Sequence, residues 1–353
     1  MEENLLNERS KITEIICKVN YRNWLAPCHI ALIAMWLLTS GLLVAMLFTG
    51  DRNADQLGLG HYLLLIFYVL ALLWYLNRAL PYSNKLPELH PLLLSRWKYG
   101  RWIPVIGIIG MLMLCAFSDK GVDIFMLVLI VATVWILLSW RREIRLRLII
   151  QSLIVAIIAF SGGLPILINS FVGKSLFFVL LTLIPPMYIA GVLLFNHTNL
   201  GGIQLSTGHN LRVLRSFLWG CILFIPLGLF NAIDGLPGSD IDWVTKWWMP
   251  FTLPFFSGIA EETWFRLLLV GLSYFMLRPA FPKYPVLVVF AAVLISGIVF
   301  GLGHGRTIDN FLTTGLLYGL PLALIFSRYD WEHAVGAHYM INLIPWIMVF
   351  FKN

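Results

Sequence analysis

Two adjacent carboxylates, Glu261 and Glu262, lie inside an apolar stretch, residues 247–277, that is long enough to cross a lipid bilayer. A charged carboxylate at the centre of a bilayer costs about 2.5 to 3.5 kcal/mol on insertion scales, so such residues need a partner or a function. Arg266 follows Glu262 at i+4, which is the helical spacing for an ion pair. The side chain of Glu261 points about 100° away from that of Glu262 and has no cation at i+3 or i+4, so we predict that Glu261 is the free carboxylate.

The composition is that of an integral membrane protein, because 59% of the 353 residues are hydrophobic and only 12% are charged. Spans of about 20 residues each use up most of such a chain. We predict an all-α, polytopic transmembrane helix bundle of about 11 helices, in which the C-terminal part carries the site. The predicted spans are residues 29–49, 61–76, 102–117, 122–140, 148–168, 176–195, 217–233, 247–277, 286–303, 311–327 and 332–351.

The net charge of +7 does not indicate nucleic-acid binding, because no basic stripe interleaved with aromatic residues occurs on a soluble segment. Basic residues instead cluster in alternate loops, which predicts a cytoplasmic N-terminus by the positive-inside rule. The expected location is a multi-pass position in a membrane, and in the plasma membrane if the source is bacterial. The cysteines show no metal spacing and are interpreted as structural: Cys17, Cys28, Cys115 and Cys221.

Polar segments predict four parts of the chain. The cytoplasmic N-terminal segment is residues 1–28, and residues 29–195 form a transmembrane region of unknown role. A polar linker, residues 196–216, precedes the core that carries the site, residues 217–353, with its motifs within residues 250–345.

Three motifs follow one another in this last part. The first is the EExxxR pattern that begins at Glu261, and the second, FxxxH, joins Phe300 to His304 at the end of a span. The third, HxxxN, places His338 and Asn342 on one face of the last predicted helix. A carboxylate that accepts a proton from water, imidazoles that orient this water or bind a metal, and neutral hydrogen-bond donors for an oxyanion are the groups that amide hydrolysis needs.

These three motifs, in this order on successive membrane helices, resemble the CPBP family of intramembrane endopeptidases. That family includes the Ras-converting type CAAX prenyl proteases and the bacterial abortive-infection and bacteriocin-processing proteins. The resemblance covers residues 250–345, and it implies a peptide or protein substrate at or in the membrane, lipidated or not, together with contact to membrane lipids. It does not extend to the first six predicted helices.

The resemblance also implies a role for each residue. Glu261 would be the general base, His304 would bind or polarise the water, and His338 and Asn342 would stabilise the oxyanion. The remaining members of the motifs, Glu262, Arg266 and Phe300, would hold and tune this arrangement. Both glutamate and metal mechanisms are compatible with it. If Zn²⁺ takes part, its ligands would be Glu261, His304 and His338, although the HExxH pattern of soluble zinc proteases is absent.

The positions of the two histidines raise a geometric difficulty. His304 closes the ninth predicted span near one surface, whereas His338 lies about 10 Å in from the other surface. Tilted helices, a ninth helix that begins outside the bilayer, or a tenth segment broken at its glycines would each bring them together. His333, five residues before His338 and on another helical face, is left out of the site.

Two further functions stay open at this stage. A proton-coupled transporter could use Glu261, Glu262 and His304 as a relay, since intramembrane carboxylates often move protons. A non-catalytic membrane scaffold or immunity protein could retain the fold alone. An inverted repeat would favour the transporter, and the loss of a motif residue would favour the scaffold. Neither is found in this sequence.

Overall fold

The structure is a computed structural model that describes residues 29–46, 59–78, 102–118, 120–169, 174–198, 200–234, 243–305 and 307–352. The predictions made for residues 1–28, including Cys17 and Cys28, lie outside the described residues. The part of the chain that is described is helical and contains no strand. Cys115 and Cys221 are both buried free thiols.

Eleven long helices occur among the described residues, and each overlaps one predicted span, so the predicted all-α fold class is confirmed. Two of them, α8 and α10, change from α-helical to π-helical geometry along their length. The helices are α1 (His29–Met46), α2 (Leu59–Arg78), α3 (Ile103–Phe117), α4 (Gly121–Ser139), α5 (Leu146–Asn169), α6 (Lys174–Thr198), α7 (Asn210–Asp234), α8 (residues 249–277), α9 (Pro285–His304), α10 (Ile308–Arg328) and α11 (Trp331–Lys352).

The outer surface of the bundle is apolar. Six of the helices, α1, α5, α7, α9, α10 and α11, are long and apolar enough to cross a membrane. Many large side chains on the outside stay exposed, for example Phe117 at 83%, Ile157 at 66% and Phe290 at 57%. A continuous surface of this kind is a liability in water, whereas in a bilayer it faces lipid. The chain is therefore an integral membrane protein.

Glycines allow α7 and α11 to pack closely against each other. A methyl group at Gly220 on α7 would collide with the carbonyl of His333, and one at Gly336 on α11 would collide with the carbonyl of Phe217. Small residues at such positions let helix backbones approach in membrane bundles. The contact is continued by a hydrogen bond from Asn231 Nδ2 to the carbonyl of Ile341, 3.0 Å long. This packing holds α11, and with it His338, in a fixed position.

Helices α5 and α6 pack against α8 and support it from behind. A methyl group at Gly162 of α5 would collide with the backbone of α8 at Phe256, and one at Gly191 of α6 would collide with Leu267. Buried side chains of these N-terminal helices, such as Val155 and Tyr188, belong to the same hydrophobic core as the C-terminal helices. Helices α5 and α6 thus contribute to the position of α8.

The segment between α6 and α7 is folded against the start of α11. It contains one short helical turn, Gln204–Thr207. Both carboxylate oxygens of Glu332 accept hydrogen bonds from the backbone there, from Gln204 N at 2.9 Å and from Leu205 N at 2.7 Å. Trp331 N donates to the carbonyl of Gly202 at 2.8 Å. The buried carboxylate of Glu332 therefore satisfies free backbone N–H groups of the turn.

Candidate functional site

The geometry of α8 changes between the two adjacent glutamates. An α-helical segment, Met249–Glu261, is followed directly by a π-helical segment, Glu262–Val270, and then by a further α-helical segment, Gly271–Leu277. Every residue of the π-helical segment is buried. Interruptions of this type occur frequently at functional sites of helices. Glu262 is consequently inaccessible to solvent, whereas the side chain of Glu261 is 22% exposed.

Glu262 joins a cation on its own helix to an imidazole on α11. Its Oε2 lies 3.3 Å from Arg266 Nε, and both side chains are fully buried. Its Oε1 lies 2.7 Å from His338 Nδ1, and His338 is 4% exposed. A carboxylate at this distance fixes the tautomer in which Nδ1 carries the proton and donates it. The ion pair expected from the i+4 spacing is present, and the bond to His338 adds a second partner.

Arg266 is enclosed by aromatic and backbone groups. Its guanidinium carbon lies 4.2 Å from the centre of the Phe300 ring, which is a cation–π distance. Its Nη2 lies 3.4 Å from the carbonyl oxygen of Gly319, where it donates a hydrogen bond. The Phe300 ring also meets that of His338 edge to face, with 5.8 Å between centroids. Phe300 therefore connects the buried cation to one of the two imidazoles.

His304 is oriented by its own helix. Its Nδ1 lies 2.9 Å from the carbonyl oxygen of Phe300, one turn earlier, so Nδ1 carries the proton that it donates. The next residue, Gly305, has φ 148°, a conformation that favours glycine and turns the chain away directly after His304. The FxxxH spacing thus has a structural cause. Phe300 supplies the carbonyl that orients the imidazole of His304 through Nδ1, and Nε2 of His304 faces away from that carbonyl.

Glu261 faces both imidazoles. Its Oε2 lies 3.8 Å from His304 Nε2 and 3.7 Å from His338 Nε2. Both separations exceed the length of a direct N–H···O hydrogen bond, about 2.7 to 3.2 Å. Glu261 Oε2, His304 Nε2 and His338 Nε2, from α8, α9 and α11, therefore surround one small region. The side chains of Glu261 and His304, 22% and 42% exposed, open this region to the outside of the bundle.

Asn342 stands one helical turn from this group. Its Nδ2 donates a hydrogen bond to Ser257 Oγ at 2.8 Å. Ser257 precedes Glu261 by one turn of α8, just as Asn342 follows His338 by one turn of α11, so the two pairs lie side by side on antiparallel helices. The structure thus brings Glu261, Glu262, His304 and His338 into one cluster, with Asn342 at its edge.

The tenth helix is irregular where α9 and α10 meet. It begins with Ile308–Asn310, continues as a π-helical segment, Phe311–Gly319, and ends as the α-helix Leu320–Arg328. A methyl group at Gly301 would lie 2.7 Å from the Cα of Gly315, so the two backbones are in close contact here. An irregular tenth segment was one of the three arrangements expected to let His304 and His338 approach the same carboxylate.

The predicted zinc ligands come near one another without forming a metal-binding arrangement. Within the part of the chain that the structure describes, no group of three or more His, Cys, Asp or Glu side chains could hold a metal ion. His338 has Nδ1 already bonded to Glu262, and its Nε2 is 3.7 Å from Glu261. The zinc set implied by the resemblance, Glu261, His304 and His338, stays a prediction.

Three features of the site were missed by sequence reasoning. Glu262 and His338 are 76 residues apart, so no local spacing announces their hydrogen bond. The π-helical geometry after Glu261 has no signal in the sequence that we can name. Ser257, in contrast, precedes Glu261 by four residues, and the i−4 spacing was a signal that could have found it.

The comparisons with known proteins concern the segment that holds these residues. Residues 243–344 match the family model described as type II CAAX prenyl endopeptidase Rce1-like. No curated protein and no solved structure matches the chain. This match confirms the resemblance to the CPBP family for residues 243–344, a segment that is similar to the type II CAAX prenyl endopeptidases of the Rce1-like family.

Proposed function

We propose that this chain hydrolyses a peptide bond at the membrane with water activated by Glu261. The observation that carries the proposal is the position of the Glu261 carboxylate, 3.8 Å from His304 Nε2 and 3.7 Å from His338 Nε2. In this proposal the attacking water lies between the carboxylate and the two imidazoles. A general base must lie within hydrogen-bond reach of the proton that it removes, directly or through one water, and Glu261 meets this condition.

The hydrogen bond of His304 Nδ1 determines the part that this residue takes in the first step of the proposed hydrolysis. Because His304 Nδ1 donates to the carbonyl of Phe300, the Nε2 of a neutral His304 has a lone pair that can accept a hydrogen bond. A water between His304 and Glu261 can therefore donate one hydrogen to each and direct its oxygen at the substrate carbonyl. Glu261 takes a proton as the oxygen attacks the carbonyl carbon, and it later returns that proton to the leaving amine.

His338 has a different role in this proposal. It acts as an imidazolium, the form in which both ring nitrogens can donate a hydrogen bond. With Nδ1 held by Glu262, the Nε2–H of that imidazolium would donate to the carbonyl oxygen of the substrate as negative charge develops there. This is the oxyanion role, and it depends on the buried carboxylate behind the ring.

Asn342 is the second proposed donor to the oxyanion. A carboxamide has two N–H groups, and the bond to Ser257 uses one of them. The second N–H stays available for the substrate. In this proposal Ser257 holds the amide plane of Asn342 in position and does not itself react.

An apolar cavity beside α8 suggests where a hydrophobic part of the substrate would bind. It has a volume of about 400 Å³ and lies between α5, α7, α8 and α11. Its lining includes Ile259 of α8 and Val335 of α11, the two helices that carry Glu261 and His338. We therefore propose a peptide substrate that carries an apolar group, either a lipid or a transmembrane segment, next to the bond that is cut.

The test is cleavage of a peptide library by the purified full chain, in which each C-terminal peptide is present with and without a lipid. Glu261→Gln keeps the shape of the side chain and removes the base, so its cleavage rate should fall by roughly 10² to 10⁴-fold. Glu143→Gln is the matched control, because it makes the same chemical change at an exposed carboxylate in the short turn between α4 and α5. It should cleave at the wild-type rate.

Three outcomes would contradict the proposal. Cleavage by Glu261→Gln at close to the wild-type rate would exclude the base role. An equal loss in Glu143→Gln would show that the assay reports folding and not chemistry. If the wild-type chain cleaves nothing but carries protons in liposomes, and Glu261→Gln abolishes this flux, the transporter explanation replaces the protease.

A further inference from the structure

A second polar cavity lies at one end of the bundle, away from the cluster around Glu261. Its volume is about 790 Å³, and it is enclosed by α1, α2, α7 and the turn from α10 to α11. The helix ends that meet here are the starts of α1, α7 and α11 and the ends of α2 and α10, so the cavity lies at a membrane surface and not at its centre. Its lining includes Arg212, Arg215, Arg328, His29, His333 and Tyr75.

The polar part of this cavity is positively charged. Among the described residues that line it, three arginines accompany one carboxylate, Asp330, which is 3% exposed. That carboxylate is already hydrogen-bonded, since Asp330 Oδ1 lies 2.7 Å from His333 Nδ1 and Asp330 Oδ2 accepts a bond from Ser216 Oγ at 2.9 Å. The carboxylate of Asp330 therefore stabilises the wall of the cavity. Among the described residues that line the cavity, guanidinium groups outnumber carboxylates.

The cavity continues into an apolar groove along α7. A second cavity of about 310 Å³ shares Arg215 and Trp219 with the first. Trp219 is 47% exposed, and its ring lies where the charged cavity passes into the groove. None of the described side chains that line the groove is acidic. Those side chains, apart from the two shared residues, are Leu211, Leu214, Leu218 and Ile222, and each is between 45% and 83% exposed.

We propose that this pair of cavities binds an acidic phospholipid, with the phosphate among the arginines and an acyl chain along α7. Basic pockets between transmembrane helices near a membrane surface suit acidic headgroups. The apolar groove favours a lipid over a soluble phosphate, because a free anion has no apolar part that could bind in the groove. Arg212 and Arg215 stand about one to three turns before Leu218 and Ile222, so the groove extends from the arginines along α7, as an acyl chain requires.

This site is separate from the catalytic cluster. His333, the histidine of the charged cavity, precedes His338 by five residues and so faces another side of α11. The proposal therefore stands on its own and does not depend on the proposed protease activity.

The experiment is a lipid titration of the purified, delipidated full chain, read by native mass spectrometry. Phosphatidylglycerol should bind with higher affinity than phosphatidylcholine, and glycerol phosphate should not compete with it. In Arg212→Gln/Arg215→Gln the affinity for phosphatidylglycerol should fall by roughly 10- to 30-fold, since each arginine near a membrane surface attracts acidic lipid. Arg212→Lys/Arg215→Lys should retain most of the affinity.

Arg141→Gln/Arg142→Gln is the matched control, because it removes the same charge from exposed positions between α4 and α5. An equal loss of affinity in this control would show diffuse attraction to a basic surface and would overturn the proposal. Competition by glycerol phosphate at the concentration of the lipid would overturn it in favour of a soluble anion. Equal affinity of the wild-type chain for the two phospholipids would overturn it without any variant.

Discussion

The substitution Glu262→Gln tests whether the buried triad of Glu262, Arg266 and His338 holds α8 and α11 together. The glutamate is fully buried and lies 3.3 Å from Arg266 Nε and 2.7 Å from His338 Nδ1. Glutamine has nearly the same shape and can still accept a hydrogen bond from the imidazole. It cannot balance the charge of a guanidinium that is itself fully buried. The variant thus isolates the charge from the packing.

The expected cost follows from that burial. Removing one partner of a buried ion pair destabilises a protein by about 3 to 5 kcal/mol, because the other charge stays buried and uncompensated. The Phe300 ring, 4.2 Å from the guanidinium carbon, and the carbonyl of Gly319 continue to stabilise Arg266 in the variant. We therefore expect the lower end of the range, about 3 kcal/mol, or a fall in Tm of roughly 4 °C for a chain of this length.

The assay is thermal unfolding of the purified chain in one detergent, with Glu261→Gln as the comparison. That variant makes the same change one residue earlier, at a side chain without an arginine partner, and its Tm should stay close to wild type. Glu262→Gln/Arg266→Met should recover at least half of the loss, because both charges are then absent. If Glu262→Gln unfolds at the wild-type temperature, or if the double variant is less stable than the single one, the triad does not hold the helices.

Three shorter predictions follow from other contacts. Ser257→Ala should lower kcat with little change in KM, because Asn342 loses the partner that orients it; equal kcat in the variant and wild type would refute this. Cleavage should persist after incubation with 1,10-phenanthroline, and a loss that Zn²⁺ restores would show metal chemistry. Burial opposes ionisation of Asp330, but hydrogen bonds from His333 and Ser216 hold its pKa below the usual range. Its stabilising contribution should therefore be complete above about pH 4 and be lost as the pH falls further, so Tm should drop less steeply in Asp330→Asn than in wild type.

The helices and the main members of the site could be predicted because each has a local signal. Apolar runs of the length of a bilayer determine the number and approximate bounds of the helices, and they need no knowledge of tertiary contacts. The i+4 spacing of Glu262 and Arg266 likewise reports on one helix, and the structure contains that ion pair. A carboxylate in an apolar stretch is costly enough to be conspicuous in any sequence.

The arrangement of the site could not be predicted in the same way, because it depends on how helices distant in sequence pack. The sequence places His304 near one surface and His338 near the other, and only the close contact of Gly301 with Gly315, together with the irregular α10, shows how α9 is positioned. The cavity among the arginines has the same origin, since Arg215 and Arg328 are over a hundred residues apart. Neither the arrangement of the two histidines nor the arginine cavity produces a pattern that a single sequence could reveal.

The two neighbouring glutamates differ in burial because adjacent residues of one helix point about 100° apart. Glu261 is the last residue of the α-helical segment and remains partly exposed, whereas Glu262 is the first residue of the π-helical segment and is fully buried. A residue that exchanges protons with a substrate needs access, and one that orients an imidazole needs fixed partners. The buried position excludes water from Glu262 and provides those partners, Arg266 and His338. In the proposed mechanism these two identical side chains therefore have two separate tasks. Glu261→Gln should lose cleavage with little loss of stability, whereas Glu262→Gln should lose both.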